Sequence, residues 1–150
     1  MILLQWLMFQ YSVPNKPSKL RVYVWRKLKA LRAEQLLEGL YALPLTAKTT
    51  EQLEWLCAEV FEMSGEAVLW KSECLSALQE EKLISRFGEE AHKGYRKIQE
   101  MLSQKPEENQ KAWLDNIMRL YADIRYHDYF DTQQHYTIHT QIEKHYREGK

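Results

Sequence analysis

This chain of 150 residues has two cysteines, four prolines and five glycines, so cross-linking and chain-breaking residues are scarce throughout. Cys57 and Cys74 are too few and too far apart in sequence for a disulfide framework or a cysteine metal motif, and a reducing cytoplasm is the expected setting. So few glycines leave no phosphate-cradling loop, and Ser12, Ser18, Ser64 and Ser76 lack the glycine-flanked elbow of a serine nucleophile. Long apolar runs are missing too. The opening Met1-Ile2-Leu3-Leu4-Gln5-Trp6-Leu7-Met8-Phe9 has neither a basic leader nor a small-residue cleavage site, so it reads as a buried strand rather than a signal peptide. No other stretch approaches the roughly 20 apolar residues needed to cross a bilayer, and no membrane partner is expected.

What is present is core-forming material. The chain is 45% hydrophobic and 28% charged, with five Trp and nine Tyr, which suits one globular domain over residues 1–150. The formal net charge is zero, yet the signs are segregated. Lys16, Lys19, Arg21, Arg26, Lys27, Lys29 and Arg32 follow one another with no acid among them, whereas Glu51, Glu54, Glu59, Glu62, Glu66 and Glu73 have only Lys71 as an opposing charge. Such a chain folds into an electrically polar molecule.

Periodicity predicts a strand over 3–13, closed by Pro14 and Pro17, and then a helix capped by Ser18 with Leu20, Val24, Leu28 and Leu31 inward and an end near Arg32. Residues 33–45 read as two short strands hinged at Gly39, and Thr49 with Gln52 as the capping box of a second helix stopped by Gly65. A strand over Ala67–Trp70 completes a strand, helix, two strands, helix, strand order. That order predicts an α+β fold, a ferredoxin-like antiparallel sheet over 1–75, followed by a helical extension over 76–150. The extension opens at Ser76 with Gln79, fades near Ser103–Pro106, resumes from Glu107 and ends in a weaker helix over Thr132–Tyr146, the two halves packing as one domain.

The first helix carries the strongest functional signal. On its wheel Lys19, Arg26 and Lys29 lie opposite the Leu stripe, with Arg21, Arg32 and Trp25 on one shoulder, a surface suited to phosphates or an oxyanion. The plain alternative is a solvated face paired with the acidic second helix. His127, His135, His139 and His145 crowd near Asp128 and Asp131, and His135 with His139 has the four-residue spacing of a metal pair. No metalloprotease-type motif accompanies them, so no metal and no cofactor is assigned. The aromatic series Trp6, Phe9, Tyr11, Tyr23, Trp25 and Tyr41 is read as core. Cys57, beside Leu53, Leu56 and Val60, is expected to be a buried, inert thiol.

The blocks Trp6-Leu7, Tyr11-Ser12-Val13-Pro14, Pro17-Ser18, Arg21-Val22-Tyr23-Val24-Trp25-Arg26-Lys27-Leu28-Lys29 and Gly39-Leu40-Tyr41-Ala42-Leu43-Pro44 resemble the N-terminal domain of the ChrB chromate-resistance regulators. Weaker likeness continues through Gly65-Glu66-Ala67, Leu83-Ile84, Phe87 and Asp128-Tyr129-Phe130. The resemblance implies a chromate-responsive regulatory role by binding rather than catalysis, with DNA and chromate or another oxyanion as partners. Lys19, Arg21, Arg26, Lys27, Lys29 and Arg32 are the candidate contacts. The family's fuller members carry a second, C-terminal chromate-resistance domain, so a partner bearing that domain is also expected, and a homodimer is expected from the opposite charges of the first two helices. An interaction or dimerisation module without DNA binding, in which the basic helix of one copy meets the acidic helix of another, and a small oxyanion-binding or redox protein using Cys57 or Cys74, are the rival readings.

Overall fold

Alternation of Leu7 and Phe9 with Met8 and Gln10 makes β1 (Gln5–Ser12) a two-faced strand, and it is the hub of the sheet in the computed structural model, which describes residues 4–148. The strand expected over 3–13 is shorter at both ends, and Met1, Ile2 and Leu3 lie outside the described residues. After it come α1 (Lys19–Ala30), β2 (Glu34–Leu37), β3 (Leu40–Pro44), α2 (Ala47–Glu62) and β4 (Glu66–Glu73). The strands form one four-stranded sheet in the order β2-β3-β1-β4, and every pairing is antiparallel. β1 meets β4 from Gln5 opposite Glu73 to Ser12 opposite Glu66, and β3 from Trp6 opposite Pro44 to Gln10 opposite Leu40. The fold class is thus α+β.

Three helices follow: α3 (Ala77–Leu102), α4 (Gln110–Tyr126) and α5 (Gln134–Glu148). The chain forms two compact units that divide between Leu83 and Ile84. In the first, Leu7, Phe9, Leu43, Val24, Leu28, Leu53, Leu56 and Val60 are buried. Trp6 is buried as well, its indole N–H donating to Glu80 Oε1 at 2.9 Å, and the same oxygen accepts the Leu4 backbone N–H at 2.9 Å. In the second, Tyr95, Ile98, Ile117, Ile138 and Ile142 form the centre of a helical core.

Several expectations need correction. Ser18 takes the N-cap position of α1 but makes no side-chain cap bond. The capping box of α2 is Thr46 with Thr49, not Thr49 with Gln52: Thr46 adopts the extended conformation a cap needs, accepts from Thr49 N–H at 3.0 Å, and starts the helix three residues earlier. Gly65 does not supply the left-handed turn that ends α2; Ser64 does, at φ 63°. Glycine is needed at 65 because a Cβ there would stand 2.6 Å from the Ser12 carbonyl oxygen. α4 begins at Gln110 rather than Glu107, because Asn109 sits left-handed at φ 60° and breaks the helical path. Tyr23 and Trp25 are exposed rather than core, since they occupy the flanks of α1 while Val24 and Leu28 take its buried side.

Candidate phosphate- and oxyanion-binding surface

Steps of 100° along α1 send its side chains in four directions. Val24 and Leu28 point inward and are fully buried. Lys19, Val22, Arg26 and Lys29 share the outward face, and all four are exposed. Arg21 and Trp25 fall on the flank toward the β2–β3 hairpin, and Tyr23 and Lys27 on the flank toward α2. The helix closes with paired backbone bonds, Ala33 N–H to Leu28 O at 3.0 Å and Arg32 N–H to Lys29 O at 3.0 Å. The helix ends at Ala30 and this closure turns Arg32 left-handed at φ 62°, so Arg32 lies past the helical path whose wheel set it beside Arg21 and Trp25.

The outward cations keep their charge unpaired by carboxylates. Among the described residues, none of Lys19, Arg21, Arg26, Lys27 and Lys29 forms a salt bridge. Two ammonium groups rest instead over rings one turn back: Lys29 Nζ lies 4.8 Å from the Trp25 ring centre and Lys27 Nζ 5.4 Å from that of Tyr23. The link to acidic α2 is neutral on the α1 side, the Tyr23 hydroxyl donating to Glu59 Oε2. That bond, with the Glu59 and Glu62 charges, holds the Tyr23 hydroxyl above its ordinary range.

Arg21 stands in a different setting. It lines a groove of about 390 Å³ with Ser18, Val22 and Trp25 on the α1 side, and Tyr11, Tyr41, Gln35, Glu38 and Gly39 across from them. Burial pushes the Tyr11 and Tyr41 hydroxyls up, the nearby Arg21 charge pulling Tyr11 the other way, so both phenols stay protonated donors at neutral pH. Gly39 closes the floor: it is left-handed at φ 73°, its carbonyl accepts the Tyr11 N–H at 3.0 Å, and a Cβ would stand 2.9 Å from Tyr11 O. Guanidinium and phenol donors can hold an oxyanion, and the carboxylate of Glu38 opposes a doubly charged one. Sequence reasoning named Arg21 but missed Tyr11, Tyr41, Gln35 and Glu38, because nothing local reports that sheet pairing sets the hairpin beside α1.

The histidines take separate partners. His135 is buried with Nε2 3.1 Å from Asp131 Oδ1, close enough for an ion pair when protonated but not aligned as a hydrogen bond. His139 is exposed and reaches Glu143 at 3.0 Å, and His127 lies 3.5 Å from Asp123. Asp128 serves structure: it is buried and accepts from the Tyr95 hydroxyl, the Thr132 N–H and the Thr132 hydroxyl, each at 2.9 Å. Cys57 and Cys74 are free thiols, and Cys57 is half-buried rather than buried as expected, since it stands beside the Leu53, Leu56 and Val60 stripe and not in it; burial followed by the Glu54 charge raises its thiol above the ordinary range. Among the described residues no helix is long and apolar enough to cross a membrane.

Comparison with known proteins adds one finding. The family model described as Protein ChrB, N-terminal, matches residues 21–104, which takes in Arg21, Arg26, Lys27, Lys29 and Arg32 and leaves out Lys19. No curated protein and no solved structure matches the chain. The matched span covers the basic helix from Arg21, the sheet from β2 onward and all of α3, more than half of the chain, and on that ground the chain belongs to the ChrB family, which is associated with chromate resistance.

Proposed function

We propose that the chain acts in the cytoplasm by binding, without a catalytic step, as a DNA-associated regulatory domain of chromate resistance that holds phosphate oxygens on the outer face of α1. The observation that carries this reading is the set Lys19, Arg26 and Lys29, exposed together on a helix with no acidic residue and no ion pair among the described residues. Cations in that condition have no internal carboxylate to leave when a phosphodiester arrives, so their desolvation is the main cost. We also read the βαββαβ succession, with β1 and β3 central, as ferredoxin-like, which leaves the outer side of a helix on the sheet open to a ligand. The test is charge reversal. Arg26→Glu with Lys29→Glu should weaken binding to duplex DNA from the gene's own upstream region about tenfold or more at low salt. Binding equal to the parent's contradicts the assignment.

A second reading rests on the groove. Arg21 with the protonated Tyr11 hydroxyl offers donors to a singly charged oxyanion such as hydrogen chromate. Titration of chromate into the parent and into Arg21→Gln checks it: heat or shift changes in the parent that vanish in the variant support the groove, and equal responses remove it.

A further inference from the structure

We propose that a second copy of this chain docks on the helical face of the first unit, the α1 ridge of one copy lying on the α2 ridge of the other and the reverse contact forming by twofold symmetry. The α1 ridge is basic with an apolar centre, Lys19, Arg26 and Lys29 around Val22, and Trp25 is exposed on its flank. The α2 ridge is its complement. Successive steps of 100° place Glu51, Glu54, Ala58 and Glu62 outward, with Trp55 on one flank and Phe61 on the other, and these two aromatics are 66% and 59% exposed. None of Glu51, Glu54 and Glu62 is salt-bridged among the described residues.

Large exposed aromatics flanking a charged ridge are what an interface leaves uncovered in a single copy. Here the charge pattern specifies the occupant. An acidic-aromatic ridge calls for a basic-apolar one, and the same unit carries such a ridge on the neighbouring helix, to which the Tyr23–Glu59 hydrogen bond ties it. One operation therefore satisfies both ridges twice, the condition for a closed isologous dimer. Self-association and phosphate binding then use one side of α1 and exclude each other.

Sedimentation of the full chain at low and high salt, over a concentration series, reads this out. The expected result is a dimer whose dissociation constant rises about tenfold or more between low and high salt. Two reversed forms sharpen it: Arg26→Glu with Lys29→Glu makes both ridges acidic, and Glu51→Lys with Glu54→Lys makes both basic. Each alone should be monomeric, and their mixture should dimerise, because every contact in the mixed pair is again between opposite charges. Circular dichroism of each form checks that it is folded. A chain that is monomeric at every salt and concentration, or reversed forms that dimerise as well alone as mixed, overturns the proposal. The Glu51 and Glu54 form leaves α1 untouched, so loss of the dimer in it is separable from any failure of the DNA reading.

Discussion

Asp128 shows how much one side chain can carry. Its two oxygens accept from the Tyr95 hydroxyl, the Thr132 backbone and the Thr132 hydroxyl inside the helical unit. Asp128→Ala leaves three donors without an acceptor and should cost about 3 kcal/mol, read as a lower urea midpoint with unchanged slope. Tyr95 gives the pH sign. Burial first, and then its bond to the Asp128 carboxylate, raise its hydroxyl above the ordinary value of 10.0. The folded chain therefore keeps a proton that the unfolded chain loses. The stabilisation is complete below pH 10 and is lost as pH rises toward the raised value, so unfolding midpoints measured from pH 8 to 11 should fall above about 10. Tyr95→Phe should make that alkaline limb shallower, the raised hydroxyls of Tyr11, Tyr41 and Tyr121 keeping the rest of it, while lowering stability at pH 8. The Thr132 contact is four residues away and locally legible; the Tyr95 contact spans 33 positions, and no periodicity announces it.

At the scale of the element, both helices of the first unit end the same way. Ala33 N–H bonds Leu28 O and Gly65 N–H bonds Val60 O, each at 3.0 Å, with Arg32 and Ser64 turned left-handed just before. Neither is glycine. Arg32→Gly and Ser64→Gly should each stabilise the chain by about 0.5–1 kcal/mol, because a Cβ is disfavoured at positive φ. Gly65→Ala should destabilise it by about 1–3 kcal/mol, since the added carbon meets the Ser12 carbonyl and Val13. Chemical denaturation of the three variants checks the signs. Element type and order were legible because the Leu stripe of α1, the alternation in β1 and the Gly39 hinge are strong periodic signals. Boundaries were less so. Thr46 and Thr49 are both good caps, and the choice between them depends on the Thr49 hydroxyl reaching Pro44 O at 2.7 Å, a contact made only once β3 is in place.

For the whole molecule, the deciding feature is a neutral total charge divided between neighbouring helices. The outward cations of α1 could be read from a helical wheel, because that wheel needs only the sequence. The groove at Arg21 could not, since it exists through the pairing of β1, β3 and β2. The stacking of Lys27 on Tyr23 and of Lys29 on Trp25 follows the four-residue spacing of a helix, but a wheel does not say which way the ammonium groups turn. The most direct test of the central claim is the salt dependence of binding between the purified chain and upstream duplex DNA, against random duplex, with and without chromate. With Lys19, Arg26 and Lys29 on phosphates, the logarithm of affinity should fall against the logarithm of salt with a slope of about −2.7, and Arg26→Gln should reduce that slope by about 0.9. A slope near zero, or one that the Arg26 change leaves untouched, contradicts the account.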